Sequence, residues 1–129
     1  MKYIGKVLLV EDSEIDVFIH KKVITASGLS SELEHCPTGK QALDYLSRIT
    51  EVSEIPRYLF LDIRMPDMDG FEFLEAFGNL PERIRKDISI IMLSSTVDEK
   101  ELNEARSNKF VHAFIPKPLT LDKMKELFD

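Results

Sequence analysis

Five polar residues in this sequence stand where an apolar run stops, and together they have the chemistry to hold a phosphoryl group. Asp62 is the most telling. It follows Tyr58-Leu59-Phe60-Leu61 directly and precedes Ile63-Arg64-Met65-Pro66-Asp67-Met68-Asp69-Gly70. A carboxylate at the tip of a buried strand is costly for structure alone, and makes sense where a cation or a phosphoryl group meets it. Glu11 and Asp12 follow Val7-Leu8-Leu9-Val10, Ser94 follows Ile88-Ser89-Ile90-Ile91-Met92-Leu93, and Lys117 follows Ala113-Phe114-Ile115 inside Pro116-Lys117-Pro118. Three acids brought together at low dielectric repel one another. A divalent cation resolves the repulsion, and oxygen donors without clustered His or Cys favour Mg²⁺ over zinc. A phosphoryl group on Asp62 would then lie between that cation and Lys117, with the Ser94 hydroxyl donating to it, which is the electrostatic clamp phosphoryl transfer requires. Singly, each residue is also an ordinary loop residue; acids favour helix starts and serine commonly follows a strand. The order of all five, each at a strand end, carries the reading.

These positions converge only if the runs are parallel strands. Three of them are nearly continuous and rich in β-branched or aromatic residues, as strands buried on both faces are; Leu33-Glu34-His35-Cys36 is a weaker fifth strand. Helical segments alternate with them. The first is expected over Glu14 to Ser27, with Ser13 as cap and Gly28 as stop, and with Ile15, Phe18, Ile19 and Val23 on its apolar face. The second opens on the capping-box pattern Thr38-Gly39-Lys40-Gln41 and carries Ala42, Leu43, Leu46 and Ile49. The third follows Asp69-Gly70, with Phe71, Leu74 and Phe77 in register. The fourth opens on Thr96-Val97-Asp98-Glu99 and has a thin apolar face of Leu102, Ala105 and Phe110. The fifth follows Thr120, with Leu121, Met124, Leu127 and Phe128. Pro81 to Asp87 reads as a solvated, charged loop. Five strand–helix pairs with short connections predict an α/β fold: a doubly wound, five-stranded parallel sheet with helices on both faces. Ligands of such a sheet bind beyond the carboxyl ends of the strands.

At 129 residues the chain is expected to form one domain, 1–129, with a sizeable core. The net charge of −6 argues against a direct nucleic-acid partner. No apolar stretch approaches the length of a membrane span, and Met1 to Lys6 run straight into a strand, so no signal peptide is expected. The single cysteine, Cys36, excludes an internal disulfide, fits a reducing cytoplasm and reads as a buried residue. His20, His35 and His112 are scattered and read as carrying no site; His112 is expected to be exposed.

The four pieces Leu8-Leu9-Val10-Glu11-Asp12, Leu61 to Gly70, Met92-Leu93-Ser94-Ser95 and Ile115-Pro116-Lys117-Pro118 occur in order. With them the chain resembles, from Lys6 to Phe128, a receiver domain of the two-component response regulators, which have a flavodoxin-like topology. The resemblance implies that Asp62 is the phosphoacceptor. It implies that Asp12 binds Mg²⁺ directly, Glu11 through water, and the Arg64 backbone carbonyl as a further ligand. Ser94 matches the switch hydroxyl, Lys117 the phosphate-binding lysine and Phe114 the switch aromatic, and the Lys117–Pro118 peptide is implied to be cis. Phosphorylation would add a charge of about −1.5 to −2 at Asp62. Ser94 would be drawn to it, Phe114 would turn inward, and the face made by the fourth helix, fifth strand and fifth helix would change.

That resemblance implies a cytoplasmic signalling switch and not an enzyme, one that phosphorylates itself from a histidine kinase or histidine phosphotransfer protein and dephosphorylates slowly. Its output would be a protein target met through that face, as a monomer or a phosphorylation-dependent dimer, with neither nucleic acid nor membrane as a direct partner. The chain stops without a linker or DNA-binding domain, which favours a single-domain regulator. Arg64 departs from the small or amide residue many relatives carry. It is expected to point over the site, shielding the phosphate or pairing with Glu11, and with Thr96 to tune hydrolysis. Two other readings fit less well. A Mg²⁺-dependent aspartyl-phosphate hydrolase needs a second acid where Arg64 stands, and arginine is neither a general acid nor a general base. A flavin-binding module wants a phosphate cradle where Val10-Glu11-Asp12-Ser13 offers acids.

Overall fold

The computed structural model describes residues 3–30, 32–96 and 98–128. In chain order the elements are β1 (Val7–Val10), α1 (Glu14–Ser27), β2 (Leu33–Cys36), α2 (Gly39–Ser47), a 3₁₀ turn (Val52–Glu54), β3 (Tyr58–Asp62), α3 (Gly70–Phe77), a helical turn (Glu82–Arg85), β4 (Ser89–Ser94), α4 (Glu99–Ser107), β5 (Val111–Pro116) and α5 (Leu121–Phe128). The strands form one parallel sheet in the order β2-β1-β3-β4-β5.

Alternate side chains of a strand point to opposite faces, and here both faces are apolar. Leu8, Val10, Leu59, Leu61, Ile90 and Met92 pack with Ala42 and Leu46 of α2, Phe73, Leu74 and Phe77 of α3, and Ala105 of α4. Val7, Leu9, Phe60, Ile91, Leu93 and Ile115 pack with Ile24 of α1 and Met124 of α5. The helices are thus divided between the two faces, as a doubly wound sheet requires. Cys36 is buried, and burial pushes its thiol up to about 11; it is a packing residue with little thiolate at neutral pH.

Local signals set most of the boundaries. Ser13 accepts a hydrogen bond from the Asp16 amide, and Gly28 ends α1 in the left-handed region at φ 72°, where glycine alone has no Cβ penalty. Thr38 caps α2 through the Gln41 amide. Asp69 and Glu72 form a reciprocal capping box at α3. For α4 the cap is Asp98, which accepts from the Lys100 amide; the expected Thr96 cap is not used, and Val97 lies outside the described residues.

Two other expectations are corrected. The charged segment after α3 is not a solvated loop. Ile84 is fully buried in the core, and Arg83 donates to the Ile49 carbonyl at 3.0 Å; one apolar residue among five charges anchors a helical turn. The apolar face of α1 is also different: of the four residues expected on it, Val23 packs against the core and Ile15, Phe18 and Ile19 are exposed. Ile15 is 73% exposed and Phe18 61%, while His20 and Ile24 face the core with Val17 and Val23 packed at its margin. Two interleaved stripes were available on this helix, and the one containing a histidine went inside.

Candidate functional site

β1 and β3 are neighbours, and the sheet order reverses about β1, since β2 lies on one side and β3 on the other. The crevice beyond their carboxyl ends is where such sheets take ligands, and Glu11 and Asp62 stand there. Asp62 pairs with Leu93 across β3–β4 and is 2% exposed. α3 begins close behind it. A Cβ on Gly70 would come within 3.0 Å of the Ile63 Cα and 2.9 Å of the Met92 side chain, so glycine lets the Gly70 amide donate to the Ile63 carbonyl at 2.8 Å. That contact closes the β3–α3 loop against the strand tip. Asp67 closes it from the other side, accepting from the Gly39 and Lys40 amides at 3.3 and 3.0 Å. Burial alone would lift the Asp67 carboxyl, but these amides hold it below the usual range.

Lys117 joins the two ends. Its Nζ is 3.1 Å from Asp62 Oδ1, 2.9 Å from Asp16 Oδ2 and 3.6 Å from Glu11 Oε1. The Lys117 amide donates to the Ser94 carbonyl at 2.7 Å, which ties the end of β5 to the end of β4, and the Lys117–Pro118 peptide is cis. Burial pulls the ammonium's pKa down, but the Asp16 hydrogen bond and the charges of Asp62 and Glu11 outweigh it and hold it above the usual value. For Asp62 the balance goes the other way. Burial lifts its carboxyl above the usual range even though Lys117 and the Arg64 amide, 3.2 Å from Oδ1, oppose the shift. An acid whose ionised form is under-compensated asks for further positive charge.

Asp16, unmarked in the sequence, is therefore a member of the cluster; its hydrogen bond from Lys117 holds its carboxyl below the usual range. Two of the histidines that are scattered in sequence also belong here. His20 is 1% exposed, and its Nδ1 lies 3.0 Å from Glu11 Oε2. His35 Nε2 donates to the Glu11 backbone carbonyl at 2.8 Å. The signal that could have found His20 is its spacing of four before Ile24 on an otherwise aliphatic stripe.

The remaining expected residues are placed as follows. Asp12 is exposed at the mouth of the crevice. Ser94 is fully buried, and its hydroxyl turns to its own loop, donating to the Thr96 carbonyl at 2.7 Å and accepting from the Thr96 amide at 3.2 Å. Phe114 is half-buried against the face covered by α2, α3 and α4. Arg64 does not pair with Glu11, whose Oε2 faces His20. It donates instead to Glu101 Oε2 on α4 at 2.9 Å. His112 is exposed and meets the Tyr58 ring edge-on.

The donor set fits Mg²⁺. Every candidate ligand is an oxygen, and Glu11 Oε1 is buried without a hydrogen-bond partner among the described residues. No group of three or more His, Cys, Asp or Glu side chains among the described residues is arranged to hold a metal ion by itself, so side chains supply at most part of a coordination shell. A partial shell of this kind suits an ion that keeps several waters. Glu11, Asp12, Asp62 and the Arg64 carbonyl are the groups that the resemblance implies would hold it.

The model for the response regulator receiver domain matches residues 7–129. The chain belongs to that family. A curated relative described as the probable methanogenesis regulatory protein FilR2 of Methanothrix harundinacea is 33% identical over 121 residues, covering 92% of this chain and 76% of that one. The osmosensing histidine kinase SLN1 of Saccharomyces cerevisiae is 25% identical over 126 residues, and there the chain spans only 10% of the relative's length. Among solved structures, a response regulator receiver protein of Dyadobacter fermentans superposes with a TM-score of 0.85 at 34% identity, covering 95% of this chain and 94% of that one. The receiver is a phosphorylation-dependent switch of two-component signalling, its family generally binds Mg²⁺ at the phosphorylation site, and receivers work with histidine kinases and downstream targets. No helix among the described residues is long and apolar enough to cross a membrane.

Proposed function

We propose that residues 1–129 act as one receiver whose phosphoacceptor is Asp62. The observation that carries this is the Lys117 ammonium 3.1 Å from a buried strand-end carboxylate that two further acids share. An Asp62 carboxylate oxygen attacks the phosphorus of a phosphohistidine. The new O–P bond forms as the P–N bond breaks, and its electron pair stays on the imidazole nitrogen of the donor. Lys117 faces the incoming phosphoryl oxygens, and the Arg64 amide is aimed at the acceptor carboxylate. When bound, Mg²⁺ supplies positive charge to those oxygens, held by Glu11, Asp12, Asp62 and the Arg64 carbonyl. Hydrolysis reverses the loading: water attacks phosphorus, the O–P bond to Asp62 breaks, and inorganic phosphate leaves. The chain is read as a switch with slow autodephosphorylation and not as an enzyme.

Switching would move Ser94 from its Thr96 contacts to the phosphate and let Phe114 pack inward, altering the α4–β5–α5 face that a downstream protein reads. Ile15 and Phe18 form an exposed apolar stripe on α1, the helix whose Asp16 meets Lys117. A phosphohistidine-bearing donor seated on that stripe brings its histidine to Asp62. The setting is the cytoplasm, with the chain a monomer or a phosphorylation-dependent dimer. Intact mass after incubation with Mg²⁺ and acetyl phosphate tests the reading. One added phosphate, absent with EDTA and absent in Asp62→Asn, is the expected result; phosphate on the Asp62→Asn protein would overturn it.

A further inference from the structure

Of the three acids around Lys117, Glu11 is the most deeply buried, and a histidine holds it. His20 and Glu11 are 1% and 0% exposed, with Nδ1 to Oε2 at 3.0 Å. On the other side of the ring the Leu119 amide lies 3.3 Å from Nε2. A backbone amide only donates, so Nε2 carries a lone pair and the ring proton sits on Nδ1, where it is donated to Glu11. One imidazole thus satisfies Glu11 Oε2 and a loop amide two residues beyond Lys117. The consequence is asymmetric for Glu11: Oε2 is occupied, while Oε1, on the Lys117 side, is left free of hydrogen bonds. His35 fixes the same residue from the backbone, at the Glu11 carbonyl.

We propose that His20 is a positioning residue for the cation site, holding Glu11 so that Oε1 faces the cation and tying the Lys117–Leu119 loop to the same point. The inference rests on the receiver reading above. Partners of this kind, which orient a ligating carboxylate without touching the metal, typically cost metal affinity by about 10–100-fold when removed. The ring works through two separable arms. An Asn side chain ends near the place of Nδ1 and can donate to Glu11 Oε2. A Gln side chain reaches the place of Nε2 and can accept from Leu119. Leu supplies neither while keeping apolar bulk. A residue that merely filled space would rank these variants by stability; a positioning residue ranks them by arm.

Mg²⁺ titration followed in amide ¹H–¹⁵N spectra, which also report folding, separates the two. Wild type and His20→Asn are expected to bind Mg²⁺ within a few-fold of one another, and His20→Leu and His20→Gln at least about tenfold more weakly. The Leu119 amide is expected to keep its exchange protection in His20→Gln and to lose it in His20→Leu and His20→Asn. Wild-type imidazole spectra are expected to show the Nδ1–H form of His20, a measurement independent of any variant. An Nε2–H ring, or a folded His20→Leu protein that binds Mg²⁺ like wild type, would overturn the inference while leaving the receiver reading intact. Wild type that binds no Mg²⁺ at all would take down both.

Discussion

Replacing Asp62 with asparagine should make the protein more stable at neutral pH while ending its phosphorylation. Asp62 is buried, and burial lifts its carboxyl above the usual range despite Lys117. A group whose folded-state pKa is raised stabilises the fold in its protonated form. That contribution is complete below the unfolded value, about 3.9, and is lost as pH rises through the raised value. At pH 7 the ionised Asp62 is therefore a cost. Asp62 and Glu11 share one ammonium at 3.1 and 3.6 Å, so their nearest oxygens stand within about 7 Å, where the repulsion at an effective dielectric near 20 is about 2 kcal/mol. Asparagine removes that repulsion and the desolvation of the charge. It also gives up attraction to Lys117, which keeps Asp16 at 2.9 Å. The expected net gain is about 1 kcal/mol, or roughly 3–5 °C in Tm for a domain of this size. Urea unfolding of both proteins in EDTA between pH 4 and 7.5 reads it directly: the gap should open as pH rises. Mg²⁺ at ten times its Kd should then restore about 1.4 kcal/mol to the wild type and less to the variant. A variant less stable than wild type at pH 7 without metal, or a gap that does not change with pH, would refute the reasoning.

Lys117→Met should leave three acids without their shared cation and cost about 2–3 kcal/mol in EDTA, partly recovered in Mg²⁺, with acetyl-phosphate loading slowed by roughly 100-fold; intact mass against time and urea unfolding check both. Asp67→Ala removes two amide contacts at the start of α2 and should cost about 0.5–1 kcal/mol at pH 7. Because the Asp67 carboxyl is held below its usual range, that contribution is present above the unfolded value and fades as pH falls through the folded one, so the difference should shrink in acid. Ile15→Ala and Phe18→Ala sit on an exposed face and should change stability by under about 0.5 kcal/mol. If that face seats the donor, both should slow transfer from a phosphohistidine protein while leaving acetyl-phosphate loading unchanged. Arg64→Ala and Glu101→Gln should shift the acyl-phosphate half-life in the same direction if their 2.9 Å pair is what sets the arginine over the site; a half-life untouched by Arg64→Ala removes Arg64 from the tuning of hydrolysis.

What the sequence disclosed and what it hid follow from the range of the forces involved. The strands were legible because each is a short apolar run whose burial needs no knowledge of its partner, and α1 was bounded correctly because Ser13 and Gly28 act on their own neighbours. The residues at the strand tips were legible because parallel topology alone brings them to one edge. Contacts that depend on rotation about an axis were not legible. Arg64 was free to reach Glu11 or α4, and only the placement of Glu101, 37 residues away, decides for α4. Lys117 meets Asp16 across 101 residues, which no local pattern reveals.

The orientation of α1 shows the competition most clearly. By apolar count, the stripe of Ile15, Phe18 and Ile19 should have gone inside, since burying a large aliphatic or aromatic side chain is worth about 1.5–3 kcal/mol. Instead those residues face solvent, and His20 is inside with Ile24. The reason lies on β1. Glu11 follows a fully buried strand and is itself fully buried, and a buried carboxylate without a hydrogen-bond donor costs far more than an exposed phenylalanine forgoes. Rotating the helix to bury Phe18 would withdraw His20 from Glu11 and from the Leu119 amide together, stranding two polar groups. The helix is therefore oriented by the polar demand of the site beside it, and the apolar stripe left outside is the consequence. The inner face of α1 thus meets the buried Glu11 through His20, while its outer face, exposing Ile15 and Phe18, is the one proposed above for a partner. Putting alanine at Phe18 should test the second without disturbing the first.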